Sequence, residues 1–429
     1  MMPRFLLFGI AVLIVMGTAS RYLLRRSKDV FRLGPRTHRA LGVVVFASIL
    51  VVVLSRMVEH RLPATLLDPL ASVAFFVVLA VFVSTVLLAI VDIVSTTARF
   101  LRSRLPAPPR AGAAGDPSPL DHSPLNDPAP ASSAPAAALP SPEAAAVPRR
   151  SFLAQAAAGS ALAIGGGSSL YGSAIGRHDY ALEEVPIRIP GLSRALDGFT
   201  IVQLSDVHLG LFVRDHEIRA AEELVRRARP DLVVLTGDLL DHDAYAADAL
   251  GRMIARLSPL ARNGVVAIPG NHDYYAGLDV VADTIVRAGA RFLRNEGLVI
   301  GGAAGFALLG VDDVWGPRTD RRSRGPDLQR ALDSVPASKD LPRILLCHNP
   351  VTFPQNAGRV ALQLSGHTHG GQVNIGVRLA DSVLGHPYIA GRYELRGSQI
   401  YVNRGFGTAG PPARVGAPPE VSRVVLVAG

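Results

Sequence analysis

Several residue types are scarce in this chain, and each scarcity narrows its reading. A single cysteine, Cys347, stands among 429 residues, which excludes an intrachain disulfide and leaves the redox compartment open. Acidic residues are few in the first part. Residues 1–180 carry 17 Lys and Arg against 9 Asp and Glu, whereas residues 181–429 carry 27 against 26. The basic excess therefore sits in the apolar N-terminal part, where it reads as membrane topology rather than as a nucleic-acid footprint; no nucleic-acid partner is expected. Residues 103–150 have almost no bulky side chains and hold 12 Pro and 13 Ala. Such a segment cannot bury enough surface to offset its ordering entropy, and it reads as a disordered linker.

Long hydrophobic runs are plentiful. Residues 5–20, 40–55 and 70–95 are nearly unbroken apolar stretches, which predicts three transmembrane helices within 1–102. Arg21, Arg25, Arg26, Lys28, Arg32, Arg36 and Arg39 lie between the first two runs, and only Arg56 and Arg61 between the second and third. The positive-inside bias puts the first loop and the segment after residue 110 in the cytoplasm. Pro148-Arg149-Arg150-Ser151-Phe152-Leu153 then opens a Gly/Ala-rich apolar segment, 151–176, that resembles a twin-arginine export signal. It reads equally as a fourth transmembrane helix. Either way the following chain, 185–429, is expected on the extracytoplasmic side of a multi-pass membrane protein.

From about residue 185 the pattern is α/β. Apolar runs 199–204, 231–236 and 264–269 alternate with helical spacing over 215–228, 246–257 and 280–288, which argues for parallel βαβ units. The later runs 306–311, 343–346, 360–364, 399–402 and 421–427 have Gly-rich turns and predict a second, more antiparallel sheet. The expected fold is a two-sheet sandwich flanked by helices.

Chemistry-bearing residues follow the apolar runs: Asp206 and His208, Asp238, Asn271-His272-Asp273, His348, then His367 and His369. Alone, an aspartate after a strand reads as a turn or helix cap, and a loop histidine as a surface residue. Together, in this order, they read as one site. Carboxylate, imidazole and amide oxygen suit divalent ions such as Mn²⁺, Fe²⁺ or Zn²⁺. Two such ions side by side are a device for attacking phosphate esters.

Asp-x-His, Gly-Asp, Gly-Asn-His-Asp, His and Gly-His-x-His resemble the signature of the calcineurin-like metallophosphoesterase superfamily, over about residues 195–428. That resemblance implies a double β-sandwich and two metals. The first metal would take Asp206, His208 and His369, the second Asn271, His348 and His367, and Asp238 would bridge both. His272 would serve the leaving oxygen, with Asp273 orienting its imidazole, and a metal-bridging hydroxide would attack phosphorus. Asp241-His242 stands where the protein-phosphatase branch has Asp-Arg. The runs Asp206–Gly210, Asn271–Tyr275, Gly310–Asp313, Gly366–Gln372 and Gly405–Thr408 resemble the membrane-anchored bacterial phosphodiesterase branch, which implies a phosphodiester or pyrophosphate substrate, lipid-linked substrates included. A phosphodiester or phosphomonoester ranks first. UDP-2,3-diacylglucosamine, the lipid A precursor, ranks second, because nucleotide-linked precursors are cytoplasmic. A sensor or scaffold with a degenerate site would lack a ligand or His272, and none is missing. Tyr274, Tyr275 and Trp315, with Arg318, Arg321, Arg322 and Arg324, are candidates for a substrate rim, as are Arg404 and Arg414.

Overall fold

The computed structural model describes residues 2–59, 61–62, 64–104, 149–335, 340–375 and 385–429. Most of the expected linker, 105–148, lies outside the described residues. Four long helices precede the α/β domain: α1 (Met2–Phe31), α2 (Pro35–Val58), α3 (Ala64–Ser103) and α4 (Arg149–Ala174). Among the described residues, two are long and apolar enough to cross a membrane, in Pro35–Val58 and Leu66–Leu101. They leave Val43, Phe46, Leu66 and Ile93 exposed, an apolar surface that suits lipid rather than water. Helix α3 has 40 residues and is about 60 Å long, twice the thickness of a bilayer core.

Met16 and Leu23 of α1, Ile49 of α2, Val81 and Leu88 of α3, and Ala158 and Ala161 of α4 share one packed core. A Cβ on Gly165 of α4 would stand 2.9 Å from the carbonyl oxygen of Ala80, so the absence of a side chain sets this helix spacing. Helix polarity places the arginine-rich α1–α2 connection at one end of the bundle. There Asp92 of α3 accepts hydrogen bonds from Arg26 at 2.9 Å and Tyr22 at 2.7 Å. The last turns of α2 and α4 and the first half of α3 lie at the other end, against the α/β domain.

That domain contains two six-stranded sheets. The first is ordered β1 (Ala181–Ile189), β12 (Glu420–Ala428), β2 (Thr200–Leu204), β3 (Leu232–Thr236), β4 (Val265–Ile268) and β5 (Arg291–Phe292). The second is ordered β10 (Gly391–Leu395), β11 (Ser398–Val402), β9 (Leu362–Ser365), β8 (Arg343–Leu346), β7 (Phe306–Gly310) and β6 (Glu296–Ile300). Their inner faces meet through Ile201, Val234 and Ile268 on one side and Phe306, Leu308, Ile344 and Leu362 on the other. Each such side chain contributes roughly 1.5–3 kcal/mol by leaving water. Helices α5 (Asp215–Ala228), α6 (Ala247–Leu257), α7 (Asn271–Ala276) and α8 (Leu278–Arg287) follow β2, β3 and β4. Ile218, Leu250 and Val281, from α5, α6 and α8, cover the outer face of the first sheet through Val202, Val233 and Leu235.

The second sheet is less antiparallel than expected, and the run 421–427 expected in it forms β12 of the first sheet. The four central strands of the second sheet, β11, β9, β8 and β7, run parallel, and only the edges β10 and β6 pair antiparallel. Strand β1 was not legible as a strand. It is an edge strand carrying Pro186 and alternating Glu184 and Arg188 with buried Val185, Ile187 and Ile189, a pattern that an edge position permits.

Candidate metal centre

The nine chemistry-bearing residues follow the carboxyl ends of five strands. β2, β3 and β4 are adjacent and parallel in the first sheet, and β8 and β9 are adjacent and parallel in the second. Stacking the two sheets brings both sets of strand ends to one edge of the sandwich.

Local backbone geometry turns the side chains inward. Asp206, His208, Asp238, His367 and His369 all have positive φ, between 51° and 72°. This left-handed conformation is disfavoured for residues with a Cβ and persists where surrounding structure enforces it. Two glycines give the space. A Cβ on Gly237, itself at φ 86°, would meet the backbone of Gly270 at 2.6 Å, and a Cβ on Gly366 would meet Asp206 Oδ2 at 2.2 Å.

The donor atoms converge. His208 Nε2 lies 3.1 Å from His369 Nε2, and His369 Nε2 lies 3.4 Å from Asp206 Oδ1. His348 Nε2 lies 3.2 Å from His367 Nδ1 and 3.2 Å from Asp238 Oδ2, and the same Asp238 oxygen stands 3.7 Å from His208 Nε2. Asp206, His208 and His369 thus form one group, and Asp238, His348 and His367 another. Ligand atoms about 2.1 Å from a common ion stand roughly 3–3.5 Å apart, so these separations fit metal ions. Asn271 Oδ1 is buried without a hydrogen-bond partner, the state expected of a ligand atom awaiting a cation.

Outer contacts fix the rings. His348 donates from Nδ1 to the Thr236 carbonyl at 2.8 Å, which turns Nε2 toward the site. Asp206 accepts from the His367 amide at 2.9 Å and from the Ser205 hydroxyl at 2.6 Å. Asp238 accepts from the His272 amide at 2.7 Å.

Electrostatics follow from burial and from neighbouring charge. Burial pushes the Asp238 carboxyl up, but His348, His272 and His208 outweigh it and hold the group well below the usual carboxylate range. Burial, with the Asp238 charge, raises Asp206. Burial and His348 push His367 down to about 3, and burial with His208 and Arg414 holds His369 well below the usual imidazole range. Both rings therefore keep free lone pairs near neutral pH. Burial opposes a charge on His272, yet Asp238 and Asp241 push it up to about 9. Burial pushes the Cys347 thiol up to about 12, which excludes it as a nucleophile.

The imidazole partner expected for His272 is not Asp273. Both carboxylate oxygens of Asp273 are taken by backbone amides: Leu239 at 2.9 Å, Leu240 at 3.2 Å and Gly270 at 2.9 Å. Asp273 ties the loop after β3 to the start of α7. His272 Nδ1 instead faces the Asp241 carbonyl, with the Asp241 carboxylate 3.5 Å away. Asp241 was legible only as the last residue of the Gly-Asp-x-x-Asp run.

The expected substrate rim is largely structural. Tyr274 is buried and donates to Asp312, while Tyr275 is the tyrosine beside His272, at 5.2 Å between ring centroids. Arg414 is 1% exposed and donates to the carbonyls of Gly407, Arg404, Ala417 and Gly405. It also contacts His369 Nδ1 at 3.2 Å, so it supports the site from below. Arg404 pairs with Glu183 at 2.6 Å and Glu420 at 3.2 Å. Arg322 pairs with Asp279 and Asp320. Arg318 is exposed, 4.4 Å above the Trp315 ring.

A family model of calcineurin-like phosphoesterases matches residues 199–371. An uncharacterized metallophosphoesterase of Aquifex aeolicus is 36% identical over 228 residues, 53% of this chain and 84% of its own. This chain belongs to the calcineurin-like metallophosphoesterases. A metallophosphoesterase of Bacillus subtilis, also uncharacterized, is 31% identical over 65% of this chain and 97% of its own. A bovine transmembrane protein with a metallophosphoesterase domain is 31% identical over 58% of this chain and 57% of its own. Membership in these metallophosphoesterases makes the protein a phosphoric ester hydrolase of a family that uses divalent metals. Two of its helices are long and apolar enough to cross a membrane, and one relative is named a transmembrane protein.

Proposed function

We propose that this metallophosphoesterase is a membrane-anchored hydrolase of phosphodiesters or phosphomonoesters, with a lipid-linked phosphate as its substrate class. Asp206, His208 and His369 would hold one divalent ion and Asn271, His348 and His367 a second, with Asp238 placed between the two groups. Bound ions supply Lewis acidity and a water of lowered pKa. The chain's own residues do the rest. Neutral His367 and His369 present lone pairs, Asp238 stays ionised, and His272, held charged, delivers a proton to the leaving oxygen. His272 is part-exposed, its side chain 24% accessible, and it stands beside Tyr275 where a substrate enters.

The observation that carries this reading is the meeting of imidazoles from the two sheets, His208 with His369 at 3.1 Å, next to a shared Asp238 carboxylate. A lipid-linked substrate is favoured because Asp241, against the His272 ring, also contacts Arg56 in the last turn of apolar α2. The domains are read as three membrane helices within 1–102, a linker over 103–150, a twin-arginine-like or fourth membrane helix over 151–176, and the phosphoesterase domain over 185–429. Outward orientation is supported by the arginine-rich α1–α2 connection at the bundle end away from the catalytic domain.

Full-length protein in detergent with Mn²⁺ is expected to hydrolyse bis-p-nitrophenyl phosphate, and His272→Ala to lose about 10²-fold in kcat on diphenyl phosphate, whose poor leaving group needs the proton. An inert metal-loaded wild type would contradict the reading. A C-terminal reporter should be active only outside the cytoplasm. A cytoplasmic signal would reverse the orientation and favour UDP-2,3-diacylglucosamine, in the manner of the branch resembled.

A further inference from the structure

Helix α2 ends inside the catalytic machinery. One nitrogen of the Arg56 guanidinium donates to the Asp241 carboxylate, and the other donates to the Gly410 carbonyl at 3.2 Å. The Arg56 cation lies 5.9 Å from the Phe75 ring centroid and 5.6 Å from that of Phe212. Phe75 belongs to α3 and Phe212 to the loop after His208, and both sit in an apolar junction with Val52, Leu67, Ala71 and Leu211. Glu59 and His242 close the cluster. His242 Nε2 lies 3.0 Å from Glu59, and His242 Nδ1 lies 3.4 Å from Asp241.

Asp241 faces two ways. Its carboxylate stands 3.5 Å from His208 Nδ1 and 3.5 Å from His272 Nδ1, and its carbonyl accepts from the same His272 nitrogen. The buried carboxylate is held among three imidazoles, His208, His272 and His242, and one guanidinium, which is its hydrogen-bonded cation. Removing the guanidinium takes away the cation that donates directly to this carboxylate in an apolar seam and loosens the loop that carries it.

We propose that Arg56, a residue of the membrane helix α2, is a positioning residue for His272: it fixes Asp241, and Asp241 holds the imidazole in line with the leaving oxygen. The catalytic domain is therefore complete only when docked on its own membrane helices, and a displacement of α2 reaches the proton donor through one side chain. Arg56 and His272 are 216 positions apart, and nothing in the motif spacing links them.

This inference rests on the role proposed above for His272, and its test separates the two. Full-length protein in detergent is assayed on bis-p-nitrophenyl phosphate, whose leaving group needs little proton assistance, and on diphenyl phosphate, which needs much. Arg56→Ala is expected to lower kcat on diphenyl phosphate about 30-fold and on the nitrophenyl ester less than about 3-fold, with KM little changed. Arg56→Lys should recover part of the loss. Asp241→Asn should reproduce the pattern, and the double variant should be no worse than the more damaged single one.

Hydrogen exchange on the metal-free protein gives a reading independent of activity. In Arg56→Ala, exchange should quicken in residues 238–243 and 271–276 and stay unchanged elsewhere in the α/β domain. Unchanged exchange in both segments, or an equal kcat loss on both esters with metal retained, overturns the proposal. If His272→Ala shows no leaving-group dependence while Arg56→Ala still loosens both segments, the role given to His272 fails and the physical link stands.

Discussion

His272 Nδ1 faces the Asp241 carbonyl, and the Asp241 carboxylate lies 3.5 Å from the same nitrogen. The neighbouring acid in sequence, Asp273, points away into three backbone amides. Two aspartates near one histidine thus do different work, and substitutions separate them.

Asp273→Ala should be a stability variant. It removes three backbone hydrogen bonds around a fully buried carboxylate, and burial with the Asp238 charge already pushes that acid up to about 7. A loss of roughly 2–4 kcal/mol is expected, read as a lower Tm. Whatever folds should show the same leaving-group dependence as wild type. A normal Tm with a selective loss on poor leaving groups would assign Asp273 to the chemistry instead.

Arg414→Lys tests the other reassignment. Lysine cannot reproduce a planar fork that serves the carbonyls of Gly407, Arg404 and Gly405 while touching His369. Tm and metal affinity should fall, the latter about 10- to 100-fold, while KM for substrate stays within about 2-fold at saturating metal. A raised KM with normal metal binding would return Arg414 to the substrate rim.

The junction cluster gives a pH dependence. Burial opposes a charge on His242, but Asp241 and Glu59 outweigh it and push the group up from 6.5 to about 9. The folded value exceeds the unfolded one, so the stabilisation is complete below about pH 6.5 and is lost as pH rises to about 9. Wild-type Tm should fall across that window, and His242→Gln should flatten part of the slope. Coincident slopes would show that His242 does not carry charge in the fold.

Gly366→Ala concerns one missing methyl group. A Cβ there would stand 2.0 Å from Ser205 Oγ and 2.2 Å from Asp206 Oδ2, so the Asp206 carboxylate must move. Metal affinity should drop at least about 10-fold with little change in secondary structure by circular dichroism. Unchanged metal affinity would remove Asp206 from the ligand set.

The motifs were legible because each follows an apolar run that ends at a turn, and stacked sheets bring the ends of parallel strands together. The βαβ half was read nearly residue for residue, with α5 at Asp215–Ala228. Strands β1 and β10 were not, since edge strands alternate polar and apolar residues and tolerate Pro186 or an Arg392–Glu394 face. The partners of His272, Arg404 and Arg414 were also hidden. A guanidinium in a sequence reads as a phosphate ligand until the carbonyls or carboxylates that occupy it are seen. Arg56 lay beyond any local pattern, because its partner Asp241 is 185 residues away.

In the proposed two-ion site one carboxylate, Asp238, joins the two groups of ligands. Calorimetric titration of Mn²⁺ into the metal-free, full-length protein measures this directly. Wild type should bind two ions per chain, and Asp238→Ala at most one, at least about 100-fold more weakly. A single ion in wild type, or two undiminished ions in Asp238→Ala, would contradict it.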